Sequence, residues 1–215
     1  AQLLKVIRAG LPKGFDPAEA RKEKDKFFKS FKVLAEPERP WDPQAFTELV
    51  DRFLATVDGQ AAEANPELAP GLAELEARVG AALPPELGAL LERVQPGAPV
   101  FFGAALLSPS DARREWSVWD DVYEGMSLED LKQHISSAKG YVYPAYTCPR
   151  WVPFLKHYQA YLCLDLVPGK KGSYGQVIAM GEDLDRRAVI APSLWSWLEL
   201  CVRRAAGEKV AVLPA

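Results

Sequence analysis

The clearest pattern in the chain lies near its C-terminal end, at residues 151–199, which read WVPFLKHYQAYLCLDLVPGKKGSYGQVIAMGEDLDRRAVIAPSLWSWLE. Within this stretch, leucines at every second position from Leu162 to Leu166 alternate with Cys163 and Asp165. Alternation with a period of two places the leucines on one face of a strand. A turn rich in Gly and Pro follows, and a second apolar run returns after it. The stretch therefore predicts an antiparallel hairpin.

The same stretch continues into a third strand and a helix. We expect strands at Tyr161–Val167, Tyr174–Met180 and Ala188–Ala191, each separated from the next by a polar turn. Ser193 has the position and chemistry of an N-cap for a final helix. Apolar residues at helical spacing then give that helix one face for the core.

Working back toward the N-terminus, helical spacing of apolar residues is frequent and strand patterns are rare. Ser110 and Ser127 are candidate helix caps, and Ser127 with Asp130 resembles a capping box. The lysines of the first helix, at positions 22, 24, 26, 29 and 32, are expected to face solvent. The spacing predicts helices at 17–34, 41–57, 72–79, 84–94, 110–125 and 127–140, and a single strand at 100–107.

A stretch rich in aromatic residues and proline precedes the hairpin. Residues 141–154, YVYPAYTCPRWVPF, contain three prolines, which is too many for a central strand. We expect either a rigid loop over the core or an aromatic patch that faces a partner. With strands in a meander and helices before and after them, the chain is predicted to be an α+β protein. One layer of helices would pack on one side of an antiparallel sheet.

The charge is unevenly distributed along the chain. The 26 basic and 29 acidic side chains give a net charge of −3. Residues 1–40 carry ten basic and six acidic side chains, residues 41–130 carry five and seventeen, and residues 131–215 carry eleven and six. Nucleic-acid binding needs clustered Lys and Arg and is therefore not expected. The acidic middle suits a basic protein partner, and it also fits a merely solvated surface.

Cysteine and histidine are too few for several kinds of site. Three cysteines without a CxxC pair predict no disulfide framework, which fits a reducing cytoplasm. Two widely separated histidines argue against a zinc site and against a His-based triad. No apolar run has the roughly 20 residues of a membrane span. The chain starts at Ala1 without Met and lacks a secretory signal pattern. We therefore expect no cofactor, no metal, no membrane contact and no catalytic set.

The motifs quoted above, in their order and spacing, resemble the SUKH superfamily. The resemblance rests on Trp151–Phe154, Leu162–Gly169, Gly172–Ile178 and Ala191–Leu198, and on the upstream stretches LAELEARVGAALPPELGALL and LLSPSDARREW. It covers about residues 68–204 and implies a SUKH-like α+β domain. We expect that domain at residues 61–208, preceded by an N-terminal helical extension at residues 1–60.

The superfamily contains fungal cell-wall-synthesis regulators and many bacterial immunity proteins. The resemblance implies a non-catalytic, protein-binding module. Our first expectation is an immunity protein that neutralises a cognate bacterial toxin by direct binding. The alternative is a regulatory or scaffold protein of the cell-wall-regulator type. A second alternative is an enzyme of unknown reaction that uses Cys148 or Asp165. The oligomeric state stays open.

Acidic side chains surround aromatic ones on the predicted helices at 110–140. Carboxylates can steer a basic partner and aromatic anchors can hold it, so this set is our candidate partner surface. The alternative is that the aromatic residues belong to the core and the acids only face solvent. The candidate partner-binding residues are Asp111, Glu115, Trp119, Asp120, Asp121, Tyr123, Glu124, Tyr143, Tyr146 and Asp165.

Asp165 is a special case among these candidates, because it points away from the leucines of its own strand. It could bind a ligand, or it could accept hydrogen bonds from the amides of the following turn, as buried polar groups require partners. Cys148 could act as a nucleophile only with a base nearby, and His157 is the closest candidate in the sequence.

Overall fold

A computed structural model describes residues 16–29, 37–57, 61–97, 99–133, 138–182, 184 and 186–213. Its centre is a six-stranded antiparallel sheet whose strands lie side by side in the order in which they follow one another along the chain. This arrangement confirms the predicted α+β fold with an antiparallel meander. The strands are β1 (Pro99–Phe101), β2 (Ala104–Leu106), β3 (Trp151–His157), β4 (Ala160–Asp165), β5 (Gln176–Gly181) and β6 (Ala188–Ala191).

Seven helices surround the sheet within the described residues. Two predicted caps are present: Ser127 accepts a hydrogen bond from Asp130, and Ser193 accepts one from Ser196. The fifth helix is capped by Ser108 and not by Ser110, because Ser108 is the residue whose hydroxyl reaches the backbone N–H of Asp111. The helices are α1 (Pro17–Lys29), α2 (Pro43–Thr56), α3 (Leu68–Val79), α4 (Pro85–Arg93), α5 (Pro109–Gly125), α6 (Leu128–Gln133) and α7 (Leu194–Ala205). Residues 30–34 and 134–137 of the predicted helices lie outside the described residues.

The predicted single strand at 100–107 is wrong, because the chain turns back on itself within it. Phe102 and Gly103 form a two-residue turn between β1 and β2, with φ angles of 57° and 87°. Two consecutive positive φ angles match a tight hairpin turn. Phe102 occupies the first turn position, and an apolar residue there gives no turn signal in the sequence.

The prediction that residues 141–154 contain no central strand is also wrong at its C-terminal end. Pro153 belongs to β3, which lies between β2 and β4. β3 pairs with β2 through Leu155 and Lys156, and the N–H of Leu107, just after β2, donates to the carbonyl of Phe154. None of these contacts requires the missing N–H of Pro153. On the other side, the register with β4 shifts between Pro153 and Leu155. Such irregularities are where a strand accepts proline.

Helices cover both faces of the sheet, which goes beyond the predicted single layer. On one face, even-numbered leucines of β4 pack with α2, α3, α4 and α7 in the larger core. On the other face, Tyr161 and Cys163 pack with α5, α6 and the loop before β3 in a second core. The alternation along β4 therefore separates two apolar environments, and Asp165 is the charged residue that β4 itself places in the second one.

The second helix, α2, shares the larger core with the strands. Phe53 stacks on Phe101 of β1 with ring centres 4.6 Å apart, and Phe101 in turn contacts Trp197 of α7 at 4.9 Å. This part of the predicted N-terminal extension is therefore packed into the same folded unit, and the division at residue 60 stays a prediction. Within the described part of the chain, no helix combines the length and the apolar character that crossing a bilayer requires.

Candidate functional site

Asp165 lies at the end of β4 and has no exposed surface. Its carboxylate accepts three hydrogen bonds, from the indole of Trp151 at 3.1 Å, the backbone of Val167 at 3.0 Å and the amide of Gln176 at 2.9 Å. Burial raises the pKa of Asp165 to about 7, while the three donors oppose that shift. The carboxylate therefore connects β3, β4 and the turn that leads into β5. In this conformation it presents no surface to a partner.

The aromatic candidates lie in or beside the second core. Trp119, Tyr123 and Tyr143 are buried, and Tyr146 is half-buried. The guanidinium of Arg187 lies 5.0 Å from the ring of Tyr146 and donates hydrogen bonds to the carbonyl of the same residue. The structure brings these aromatic side chains together, but against the sheet and not on an open surface.

The acidic candidates are distributed over several local partnerships. Glu115 accepts hydrogen bonds from Lys156 at 2.9 Å and from the Tyr161 hydroxyl at 2.8 Å. Burial alone would raise the pKa of Glu115, but these hydrogen bonds outweigh it and hold the pKa below its ordinary value. Asp111 accepts a hydrogen bond from the Ser108 hydroxyl in the first turn of α5.

The remaining acids of α5 differ strongly in exposure. Glu124 forms an ion pair with Arg21 of α1. Asp120 is half-buried, and burial raises the pKa of its carboxyl group. Its Oδ1 atom makes no hydrogen bond to any described residue. Asp121 is exposed. Of the predicted acidic surface, Asp121 is therefore the member of α5 whose side chain is freest to meet a partner.

Cys148, the nucleophile of the predicted enzyme alternative, lies in the second core. Cys148 is buried, and burial raises the pKa of its thiol well above the ordinary value, which disfavours the reactive thiolate. The ring of His157 packs against Tyr158 at the end of β3. Among the described residues, no group of three or more acidic, cysteine or histidine side chains could hold a metal ion.

Two aromatic residues that the sequence analysis did not select stand at hairpin tips. Phe102 lies between β1 and β2, and Tyr158 lies between β3 and β4. Both have positive φ angles, 57° and 54°, and they are the non-glycine residues of the described chain with this property. Because β2 and β3 are antiparallel neighbours, both tips lie at the same end of the sheet. We call this region, with the cleft described next, the hairpin end.

A cleft of about 160 Å³ opens beside the second tip, between α5 and the β3–β4 hairpin. Tyr158 is 85% exposed at its rim, and Val118 on α5 is 42% exposed. Apolar and aromatic side chains form the floor, and Lys156 and Glu182 supply opposite charges at the edge. The lining consists of Val118, Trp119, Val122, Lys156, Tyr158, Gln159, Tyr161 and Glu182. This cleft was not predicted from the sequence, because the prolines of residues 141–154 disguise β3 and the turn after it.

A second cavity of about 250 Å³ lies where the segment before α2 crosses the N-terminus of α7. Glu38 accepts hydrogen bonds from the hydroxyls of Ser193 and Ser196, both at 2.6 Å. The guanidinium of Arg39 lies 4.9 Å from the ring of Trp195 and pairs with Glu199. These contacts hold residues 37–41 against the domain. The polar groups at this cavity are therefore bonded to one another and serve mainly to stabilise the fold.

A sequence profile of the SMI1 / KNR4 family (SUKH-1) matches residues 71–200, which run from α3 to α7. The chain belongs to the SMI1/KNR4 family. The match includes all six described strands and helices on both faces of the sheet, but not α2, and it confirms the superfamily that the motifs indicated.

Curated relatives within the SMI1/KNR4 family are fungal proteins named as regulators. The cell wall biosynthesis/cell cycle regulator smi1 of Schizosaccharomyces pombe is 30% identical over 111 residues, covering 47% of this chain and 22% of the relative. The glucan synthesis regulatory protein of Neurospora crassa is 25% identical over 191 residues, covering 71% and 34%. The cell wall assembly regulator SMI1 of Saccharomyces cerevisiae is 36% identical over 72 residues, covering 33% and 14%. The chain thus spans at most about a third of the length of these relatives.

Proposed function

We propose that this chain is a non-catalytic, protein-binding regulatory module that acts in cell-wall or glucan synthesis, as the names of its relatives describe for them. Family membership and these names favour the regulator over the toxin-neutralising function that was our first expectation. The buried state of Cys148 and Asp165 agrees with a non-catalytic role. The observation that carries the proposal is the hairpin end.

The hairpin end holds one aromatic ring in solvent and a second ring partly exposed, both at a conformational cost. A positive φ costs an L-residue roughly 1–2 kcal/mol, and two-residue turns are usually built with Gly or Asn for that reason. Tyr158 and Phe102 accept this cost although they are 85% and 37% exposed. Tyr158 therefore does not serve chiefly to fill the core of its own domain, and Phe102 keeps part of its ring exposed beside it. Exposed apolar side chains at strained positions are typical of a contact surface.

The surroundings of the cleft indicate the chemistry of the partner. Its floor is apolar, and Lys156 at its rim is already paired with Glu115. The exposed Glu182 lines the cleft, and the exposed Asp121 belongs to α5, the helix that forms its other wall. Neither acid forms an ion pair with a described residue. We infer that the partner inserts an apolar side chain beside Tyr158 and places a basic side chain near these acids.

A substitution at the two tips separates binding from folding. Replacing Tyr158 and Phe102 with Gly removes both rings and relieves both positive φ angles. We expect the free energy of unfolding of the variant to stay within about 1 kcal/mol of the wild-type value, because relief of strain offsets the added flexibility of the chain. Capture of host proteins from the source cells by the tagged full-length chain should fall sharply.

The matched control is Tyr141→Ser, which removes an exposed aromatic ring at the opposite end of the sheet. This control should capture the same proteins as the wild type, in the same amounts. If the Gly variant also captures them unchanged, the hairpin end is not the binding surface. A change of glucan synthesis in cells that carry the Gly variant would link the surface to the regulatory role.

Exposed acids on α5 and α6 favour a second candidate, the neutralisation of a basic toxin. Asp121, Glu129 and Asp130 are all exposed and lie in the acidic middle of the chain. A toxin partner should be a single tightly bound protein whose association slows steeply with salt. Reversal of these three charges should then slow association at low salt, and an unchanged rate would exclude this candidate.

The state of the cysteines indicates the compartment in which the chain works. All three cysteines of the chain are free and buried, at positions 148, 163 and 201. Free thiols fit a reducing compartment better than an oxidising one. We therefore propose that the module works in the cytoplasm.

A further inference from the structure

The N-terminal helix α1 is attached to the domain by one buried lysine, although the sequence predicted that all its lysines face solvent. Lys24 has no exposed surface. Its ammonium group donates hydrogen bonds to three backbone carbonyls, those of Tyr123, Glu124 and Met126, the last two at 3.3 and 2.9 Å. The carbonyls of Tyr123 and Glu124 lie in the last turn of α5 and that of Met126 follows directly after it, at the end where a helix has acceptors without intrahelical partners. The negative end of the helix dipole favours a cation there.

Two further contacts flank the lysine along α1. Three residues before it, Arg21 forms an ion pair with Glu124. Three residues after it, the ring of Phe27 meets the ring of Tyr143 edge to face, with centres 5.5 Å apart. The ammonium of Lys24 also lies 4.4 Å from the centre of the Tyr123 ring. Arg21, Lys24 and Phe27 are therefore spaced at i, i+3 and i+6, which places the three side chains on one side of the helix.

The receiving groups lie on α5, its last turn and the loop before β3. We call them the lysine receptor: the carbonyls of Tyr123, Glu124 and Met126, the Glu124 carboxylate and the rings of Tyr123 and Tyr143. The carboxylate of Asp120 adds negative charge near Lys24 and Arg21. Four members of the predicted partner surface, Asp120, Tyr123, Glu124 and Tyr143, thus surround a basic helix. The basic partner that the acidic middle predicted is, at this place, the chain's own α1.

Most of the α1 side chains that the structure describes face solvent. Lys22, Glu23, Asp25 and Lys26 are exposed, and Phe27 is only half-buried. A helix of 13 residues is marginal on its own, so α1 depends on its contacts with the domain. These contacts also include the Lys132 ammonium of α6, which lies 4.0 Å from the centre of the Phe27 ring. A ligand that offers the same contacts and more could therefore replace it.

We propose that the lysine receptor binds a basic helix of a partner protein with the spacing Arg-x-x-Lys-x-x-aromatic, and that α1 competes with this helix by occupying the receptor within the same chain. This surface is distinct from the hairpin end, so the inference goes beyond the proposed function. Because a tethered segment acts at an effective concentration of the order of millimolar, α1 sets a threshold that the partner's affinity must exceed.

The test uses full-length protein and a labelled peptide of residues 16–29 as the probe. In the protein, Lys24→Gln and, separately, Arg21→Glu release α1 from its receptor by two different routes. We expect the peptide to bind both variants at least about tenfold more tightly than it binds the wild type, because only the wild type is blocked by its own α1. Fluorescence anisotropy measures the affinity, and circular dichroism verifies that each variant remains folded.

Peptide variants test the spacing. A peptide with Lys24→Gln should lose binding, whereas Lys26→Gln, which changes an exposed lysine of the same helix, should bind as the parent does. A peptide of identical composition with the lysine and the aromatic residue moved by one position should also fail. Equal binding by the moved-residue peptide, equal affinity of wild-type and released proteins, or no binding to either released variant at about 1 mM would overturn the proposal. A wild-type dimer that the peptide dissociates would also overturn it, because the occupant would then be a second copy of this chain.

Discussion

Lys24 and Asp165 present the same chemical problem in two regions of the molecule. Each is charged in water and has no exposed surface, and each forms its hydrogen bonds with neutral groups. Burial lowers the pKa of Lys24 to about 8, helped by the nearby Arg21, and raises the pKa of Asp165 to about 7. In both cases the protein disfavours the charged form relative to water.

The two regions differ in where the partners come from. Asp165 receives its donors from Trp151, Val167 and Gln176, which belong to β3, the turn after β4 and β5. All the carbonyls that accept hydrogen bonds from Lys24 lie at the C-terminal end of one helix, α5, and Lys24 is not part of that helix. Loss of the first interaction therefore loosens the central sheet, whereas loss of the second frees one peripheral helix. The consequence of a buried charge depends on how many separate segments it connects.

The largest effect is expected for Asp165→Ala. This change leaves three buried donors without an acceptor, and each such donor costs about 1–3 kcal/mol. The free energy of unfolding should fall by about 3 kcal/mol or more, as measured by urea denaturation with tryptophan fluorescence. Asp121→Ala, which removes an exposed carboxylate, should stay within about 0.5 kcal/mol. Equal effects of the two changes would refute the role given to Asp165.

The pH dependence of stability tests the same carboxylate. The unfolded pKa of an aspartate is about 3.9, so between that value and about 7 the folded state keeps a proton that the unfolded state has lost. The contribution of Asp165 is therefore fully present below pH 4, falls as the pH rises to 7, and is constant above. Asp165→Asn cannot titrate. As the pH rises from 4 to 7, the free energy of unfolding of the wild type should therefore fall relative to that of the variant. A difference that stays constant over this range would contradict the raised pKa.

A smaller effect on global stability is expected for Lys24→Gln. The free energy of unfolding should change by about 1 kcal/mol or less, because the cores do not contain Lys24. Tryptic cleavage within α1 should become up to about tenfold faster, since cleavage follows the population of the detached helix. Lys26→Gln, also on α1 but exposed, should leave the cleavage of the remaining sites unchanged. Global unfolding by Lys24→Gln would remove the contrast with Asp165.

The smallest effect concerns the pH dependence of α1 itself. The ordinary pKa of Lys24 is 10.5 and its value in the docked helix is about 8. Between these values the detached state binds more protons, so docking should strengthen as the pH rises from 8 to 10.5. This direction is opposite to that expected for Asp165. Anisotropy of a fluorophore attached through Ala18→Cys should rise over this range in the wild type and stay level in Lys24→Gln.

Local patterns were sufficient for the regions where neighbouring residues decide the conformation. The alternation around Leu164 predicted β4 and its return strand, and the hydroxyls of Ser127 and Ser193 predicted two helix starts. The same reasoning failed at Phe102 and Pro153. A bulky residue can occupy a turn, and a proline can enter a sheet, when the neighbouring strand tolerates them, and that tolerance is not visible in the local sequence.

The sequence by itself determined the α+β class, the meander, the final helix and the family, because periodicity and turn residues act over a few positions. Only the tertiary structure decided which polar groups are buried and which groups form hydrogen bonds with them. Lys24 reaches acceptors a hundred residues away, and Tyr158 stands at the rim of a cleft completed by a helix 40 residues earlier. Such contacts depend on packing between distant segments, and for that reason the candidate binding surfaces emerged from the fold and not from the motifs.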